Sequence, residues 1–418
     1  MNRTINKKAI VILIVFASFS MKSISQTKFI WGKQFGSEKE EYVMNHLIDN
    51  KGNIYIAGKT AGTIAGKNSG ENDGFLTKID SSGTVLWQKQ FGTSGNEDIQ
   101  WSAIDNNDNV YITGSTTGDL AGKNRGKEDL FIVKYTPVGT MEWSKQFGTD
   151  SIDIAKGICT DNNGFIYVTG LTAGKLGNSS FGKNDGFIMK LDNKGNQIFT
   201  LQFGTPGDDL CNSIATGTGS DIFVCGTTWG DLGAKNKGFV DGFTGQFDEK
   251  GTLIKYLQFG SDGFDVPMII KTDEKDNIYV GGMTSGNFGC NQIGEGDGFF
   301  LKISNKGDIL WNKQFGTAKN DGVRSIDLNP KISDNILISG VQNLPPAQAF
   351  VRMYKNDGSL VWEKNFLTEG NNGDMSGKCV KIDDKGIITH VGLTMSNLFG
   401  NSFGDSDFYL VKLRLGSK

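Results

Sequence analysis

One interval governs this chain. The tripeptide Gln-Phe-Gly recurs with its Phe at positions 35, 91, 147, 203, 259 and 315, and every step is 56 residues. A weaker seventh copy has Phe366, 51 residues further on. A fixed period of a few tens of residues marks a solenoid, a propeller or an array, because each unit must bury its apolar face against its neighbours.

Each unit reads alike. After Phe-Gly comes a short loop rich in Gly, Thr and acids, then an apolar segment such as Ser102 to Asp105. A tight turn follows, then a β-rich run: Asn53-Ile54-Tyr55-Ile56, Asn109-Val110-Tyr111-Ile112, Phe165-Ile166-Tyr167-Val168 or Asn277-Ile278-Tyr279-Val280. A loop of about thirteen residues leads to Asp-Gly-Phe and a third strand, as at Asp73-Gly74-Phe75. A second turn leads to a fourth strand ending on the Gln-Phe. The turns Asp49-Asn50-Lys51-Gly52, Asp161-Asn162-Asn163-Gly164 and Asp192-Asn193-Lys194-Gly195 place Asx first and Gly last. That suits hairpins needing positive φ near their end. Each unit is therefore four antiparallel strands, a to d, and no segment after the leader keeps a helical period. With 58 Gly, 28 Phe and 6 Pro, the composition agrees with many short strands on tight turns.

The predicted fold is all-β, a seven-bladed β-propeller with four antiparallel strands per blade. The termini predict how it closes. The chain opens, after its leader, on a lone d-type strand, Lys28 to Phe35, and ends on a c-type strand, Asp407 to Leu413. Pairing the two completes the seventh blade and removes two sheet edges. The expected blades are 42–91, 98–147, 153–203, 209–259, 265–315, 322–366 and 375–415 plus 28–35, forming one domain over 26–418.

The pattern Trp-x-x-Gln-Phe-Gly-Thr, then Asp-x-x-Gly-Asn-Ile-Tyr-x-x-Gly-x-Thr, then Asp-Gly-Phe-x-x-Lys-x-Asp resembles the bacterial family with seven-bladed β-propeller (SBBP) repeats. The resemblance covers almost all of 26–418. It implies an exported propeller and brings no catalytic residues. Blade 6 departs from it: Gln348 stands where Asp is expected, and its b–c loop is about seven residues short.

Residues 1–25 read as a signal peptide. Arg3, Lys7 and Lys8 precede the apolar run Ala9 to Phe19, too short for a bilayer, and Ser23-Ile24-Ser25 suits cleavage before Gln26. The expected location is secreted, periplasmic or cell-surface, with no membrane span after cleavage. A net charge of −3 without a basic cluster excludes a nucleic-acid partner. Five cysteines, an odd number, occupy different repeat positions, so they form no repeated disulfide framework. Cys211 and Cys225 flank a predicted hairpin turn; either a disulfide or two separate buried thiols fits there, and the thiols are preferred.

Residues present in every blade most economically serve the blade. Trp31, Trp87, Trp143, Trp311 and Trp362 share one register position, filled elsewhere by Phe199 and Lys255. Packing between blades is expected there rather than sugar stacking. Asp73, Asp129, Asp185, Asp241, Asp297 and Asp407 open the c strands. They are expected to accept loop N–H bonds. The sharper alternative is a repeated Ca²⁺ site with oxygens from Asn68, Asn124 or Asn236, although the spacing matches no known calcium loop. Gly62 to Lys67 and Gly118 to Lys123 lack the spacing and the following helix of a phosphate loop and read as turns. His46 aligns with an apolar column and reads as a packed core histidine; His390 is the other histidine. The Asp208-Asp209 pair reads as surface acids rather than a glycosidase pair.

The d–a and b–c loops emerge on one face and are long; the a–b and c–d turns on the other are minimal. Function is expected on the loop-rich face. Trp229 has no counterpart in other blades, and Arg125 and Lys127 give blade 2 local positive charge. These three are the candidate ligand-binding residues. The leading expectation is a non-enzymatic exported binding module for a glycan, peptide or protein, with no cofactor other than the Ca²⁺ alternative. An enzyme acting on an extracellular polysaccharide through acids of the loop face is the second reading, and a structural envelope protein the third.

Overall fold

A computed structural model of the chain describes residues 27–329, 335–366, 374–399 and 402–416. The predicted signal peptide lies outside the described residues. The strands form seven separate four-stranded antiparallel sheets, and no helix occurs among the described residues. Blades 1 to 6 run Glu41–Phe91, Glu97–Phe147, Asp153–Phe203, Asp209–Phe259, Asp265–Phe315 and Asp321–Phe366. Blade 7 takes Met375–Ile382, Ile387–Thr394 and Asp407–Arg414 from the end of the chain and Lys28–Phe35 from its start. The expected closure forms, with Trp31 opposite Lys412 and Phe35 opposite Phe408.

The core lies between blades rather than within one. Strands b and c are buried along their whole length, as in Val110–Thr116 and Asp129–Tyr135. Strand d is half exposed, as in Val85–Phe91. A strand covered on both faces must be apolar throughout, and so the b and c runs lack clean alternation. The Phe of four Gln-Phe-Gly copies packs edge-on against the Phe of the next blade's c strand: Phe91 on Phe131, Phe203 on Phe243, Phe259 on Phe299 and Phe315 on Phe350, with centroids 5.8–6.3 Å apart. Each such pair contributes about 0.5–1.5 kcal/mol beyond its area.

The tryptophan column joins blades as expected. Trp31, Trp143 and Trp311 donate Nε1–H to the c–d turn carbonyls of Ser81, Asn193 and Asn356 in the following blade. Lys255 makes the same link with its ammonium, 2.7 Å from the Asn305 carbonyl. Trp362 is buried and its Nε1 has no partner among the described residues. The cause is topological: blade 7 has no c–d turn, because its d strand comes from the other end of the chain.

Every a strand carries a bulge that the sequence reading did not foresee. One residue is skipped in each a–b pairing, for example between Ala155 and Gly157 and between Val323 and Ser325. The five cysteines are free thiols; Cys211 and Cys225 are both buried, as preferred.

Candidate functional site

The loop-rich face is built on one repeated clamp. Each of Asp73, Asp129, Asp185, Asp241, Asp297 and Asp407 is buried. Each accepts the backbone N–H of the residue four before it, from Ser69, Arg125, Phe181, Lys237, Ile293 and Phe403, at 2.8–3.1 Å. Each also accepts Nε2–H from the Gln of its own Gln-Phe-Gly: Gln90, Gln146, Gln202, Gln258, Gln314 and Gln34. The same glutamines accept loop N–H groups through Oε1, as from Ile64, Leu176 and Leu398. One Asp and one Gln thus tie the b–c loop to strands c and d, which explains why the Gln recurs.

A second carboxylate faces each Asp from the next blade. Glu41, Glu97, Asp153, Asp209, Asp265 and Asp321 open the a strands and accept the N–H and hydroxyl of Ser37, Thr93, Thr149, Thr205, Ser261 and Thr317. The signal for them was present, an acid four residues after a Ser or Thr, but it was hidden among other loop acids. The glycine of Gln-Phe-Gly sits between the two acids. A Cβ on Gly204 would lie 2.5 Å from Asp185 Oδ1 and 3.0 Å from Asp209 Oδ2. Burial, helped by the neighbouring Asp, holds Glu41, Asp153, Asp265 and Asp321 above the usual carboxylate range.

One oxygen of each acid accepts a loop N–H, as the loop N–H reading expected, while Oδ1 of Asp129, Asp185, Asp241 and Asp407 is buried with no hydrogen-bond partner among the described residues. Asn124, named for the Ca²⁺ alternative, accepts the Gly126 N–H and donates toward the Thr116 carbonyl of its own loop. Two carboxylates per junction offer four oxygens, fewer than the six to eight that Ca²⁺ takes. Among the described residues no group of three or more His, Cys, Asp or Glu is arranged to hold a metal.

Display falls to the variable positions between the clamps. Trp229 ends strand b of blade 4; its N–H donates to the Asp208 carbonyl at 3.0 Å and its side chain is 44% exposed. On the other side of the same loop, Phe239 (70% exposed) stacks on Phe264 (48%) of the blade 4–5 loop. Their centroids are 5.3 Å apart and the rings nearly parallel, at 9°. The equivalent positions hold Glu71 and Asn96 in one junction and Lys127 and Ile152 in the next. The sequence reading found Trp229 and missed this pair, because Phe is common in the chain and nothing in one dimension separates an exposed Phe from a core one. Arg125 and Lys127 are exposed on blade 2, with Arg125 Nη1 donating to the Gly148 carbonyl at 3.3 Å. They stand two blades from Trp229, so the structure does not bring the three together.

The Asp208-Asp209 pair is not the pair of surface acids expected: Asp209 is buried in its clamp because it caps the d–a loop, while Asp208 accepts an amide N–H of Asn184 at 2.6 Å. Both histidines are buried and structural: His46 Nε2 meets Thr389 Oγ1 at 2.7 Å, and His390 Nε2 meets Ser339 Oγ at 2.8 Å. Burial holds His46 well below its usual range and His390 at about 3.

Comparison with known proteins agrees with this architecture. The SBBP β-propeller repeat model matches residues 142–178, from strand d of blade 2 into the b–c loop of blade 3. An uncharacterized WD repeat-containing protein of Acanthamoeba polyphaga mimivirus is 25% identical over 198 residues, covering 38% of this chain and 14% of that protein. The regulatory protein FlaEY of Caulobacter vibrioides is 26% identical over 197 residues, 41% of this chain and 20% of its own length. The matches therefore span a fifth or less of these curated relatives. Among solved structures, the Pan2 WD40 domain of Neurospora crassa superposes over 90% of both chains with a TM-score of 0.50 at 10% identity, a likeness of fold alone.

Proposed function

From a closed ring of seven SBBP-type β-propeller repeats, we propose an exported, non-enzymatic interaction scaffold that grips a protein or peptide segment across the loops of blades 4 and 5. The exposed, stacked Phe239–Phe264 pair carries this reading. Two large rings held parallel in water expose apolar area that a partner would cover, and aromatic residues dominate binding energy at protein interfaces. Trp229, at the other end of the same loop, supplies a second platform. The clamps below hold both rigid, so little ordering entropy opposes binding. Arg125 and Lys127 provide a cationic rim on blade 2 for acidic groups of the same partner. Residues 1–25, read as a signal peptide, support export.

A protein and glycan array probed with the chain from Gln26 onward tests the proposal, with and without Ca²⁺. A protein or peptide ligand is expected, and its affinity should fall at least tenfold in the Phe239→Ala/Phe264→Ala variant and severalfold in Trp229→Ala. Unchanged affinity in both variants removes this patch from the site. Capture of glycans alone would replace the protein partner with a sugar.

A further inference from the structure

The a strands of all seven blades enclose a cavity of about 330 Å³ on the axis of the ring. Its charged wall residues are Lys271 of blade 5 and Lys381 of blade 7; no carboxylate lines it. The remaining wall is apolar or neutral, with Trp101, Ile158 and Ile270 beside the hydroxyls of Thr160, Thr216 and Thr272. Two of those hydroxyls are already spent, Thr160 donating to the Ile104 carbonyl at 3.1 Å and Thr272 to the Thr216 carbonyl at 2.9 Å. The Lys271 ammonium is a charged donor that remains, while that of Lys381 is shared with Asp327.

Lys271 and Lys381 occupy one register position. Its other occupants are Leu47, Ala103, Cys159, Ala215 and, between the two lysines, Asp327. Asp327 is bonded to Lys381 at 2.9 Å and to the Ile382 N–H at 2.8 Å, which binds it to blade 7. The Lys271 ammonium has no hydrogen bond or ion pair among the described residues; burial and the charge of Lys381 lower its pKa, against the opposing charge of Asp327. Three residues earlier on the same strands stand the bulge residues. Four of them are neutral: Met44, Gln100, Asn212 and Met268. The other three are Lys156, Arg324 and Lys378, also without ion-pair partners among the described residues. The nearest countercharges are Asp98 and Glu128, which act on Lys156; Asp98 is itself paired with Lys59. Lys271 and Lys381 thus act on each other's charge, as do Arg324 and Lys378.

We propose that this axial cavity is a binding site for a divalent, phosphate-type oxyanion, held by Lys271 and Lys381. A lysine ammonium is a compact point charge that recognises phosphate without demanding a fixed fork geometry. Two of them on one cavity wall favour a dianion over a single carboxylate, and Asp327, paired with Lys381, is the carboxylate that competes with it. The volume admits one phosphate with several waters, each water taking about 30 Å³.

Calorimetry with the full chain and inorganic phosphate near neutral pH tests this, with acetate as the monovalent control. One phosphate should bind per chain, and acetate at least tenfold more weakly. Lys271→Met, which keeps the apolar stem, should weaken phosphate at least tenfold. Asp327→Asn frees Lys381 from its partner and should tighten phosphate severalfold. A folding defect in either variant cannot imitate that gain, so it keeps the proposal open to refutation even if Lys271→Met fails to fold. Absence of phosphate binding, acetate binding as tightly as phosphate, or weaker binding in Asp327→Asn would each overturn it.

Discussion

The junction between blades 3 and 4 and the junction between blades 6 and 7 hold the same two strand faces together by different means. At the first, Asp185, Gln202 and Gly204 interlock: the Gln Nε2 donates to the Asp at 2.8 Å, and the glycine leaves room for both. At the second all three change together. Gln348 replaces the Asp, Asn365 the Gln, and Leu367 follows Phe366 where Gly is the rule. The b–c loop also shrinks from twelve residues, as in 61–72, to five, 343–347. The difference shows what the repeat is for. Its polar letters are one device for securing a long loop, and when the loop goes, the Asp, its Gln partner and the glycine are released as a set. In place of the clamp, His390 of blade 7 stacks on Phe366 at 4.9 Å, and Ala347 donates its N–H to Asp374 at 2.8 Å.

The largest expected effect comes from breaking the junction that the chain makes with its own two ends. Removing residues 26–36 strips blade 7 of its d strand and exposes the edge of Asp407–Arg414. Loss of cooperative thermal unfolding is the expected outcome; retention of full stability would refute closure as a source of stability. Next is Gly204→Ala, whose methyl would collide with Asp185. A loss of about 1–3 kcal/mol in denaturant unfolding is expected from this overpacking. The double variant with Asp185→Ala should lose less than the two single losses added, because the collision disappears with the carboxylate.

The histidine junctions predict a smaller, pH-dependent effect. His390 and His46 have folded pKa values below the unfolded value of about 6.5, so their contribution is present above pH 6.5 and is lost as pH falls from there toward 3. For His390 the loss is about 2 kcal/mol by pH 5, and His46 acts in the same direction. The raised carboxylates Glu41, Asp153, Asp265 and Asp321 act oppositely, stabilising at low pH and losing that contribution as pH rises through their folded values. Unfolding free energy against pH should therefore flatten in His390→Gln between pH 6.5 and 5; an unchanged slope would remove His390 as its source. The smallest effect tests the clamp against the metal reading of the same aspartates. Chelation of divalent ions should leave the melting temperature unmoved, since one oxygen of each acid already takes a loop N–H and a Gln amide; a drop of several degrees would restore the Ca²⁺ alternative.

Much of this was legible in one dimension because a repeat averages away noise. The 56-residue step, the Asx–Gly turns and the unpaired d strand at the start are local or periodic signals, and each led to the observed ring. The shared register of Trp31, Trp143 and Lys255 was visible, but not that Lys255 would reach the turn carbonyl its Trp equivalents use. The acid at the head of strand a went unassigned because its Ser or Thr partner four residues earlier sits in a loop with other acids.

The sequence by itself determined the number of blades, their strand content and the pairing that closes them, since period, turn chemistry and strand alternation are properties of neighbouring residues. Only the tertiary structure decided which aromatics stay in water and which charges meet. Phe239 and Phe264 are stacked because two loops of adjacent blades run side by side, and Lys271 and Lys381 share a cavity because seven strands converge on one axis. Those relations depend on distances between residues far apart in the chain, and closing the ring is what sets them.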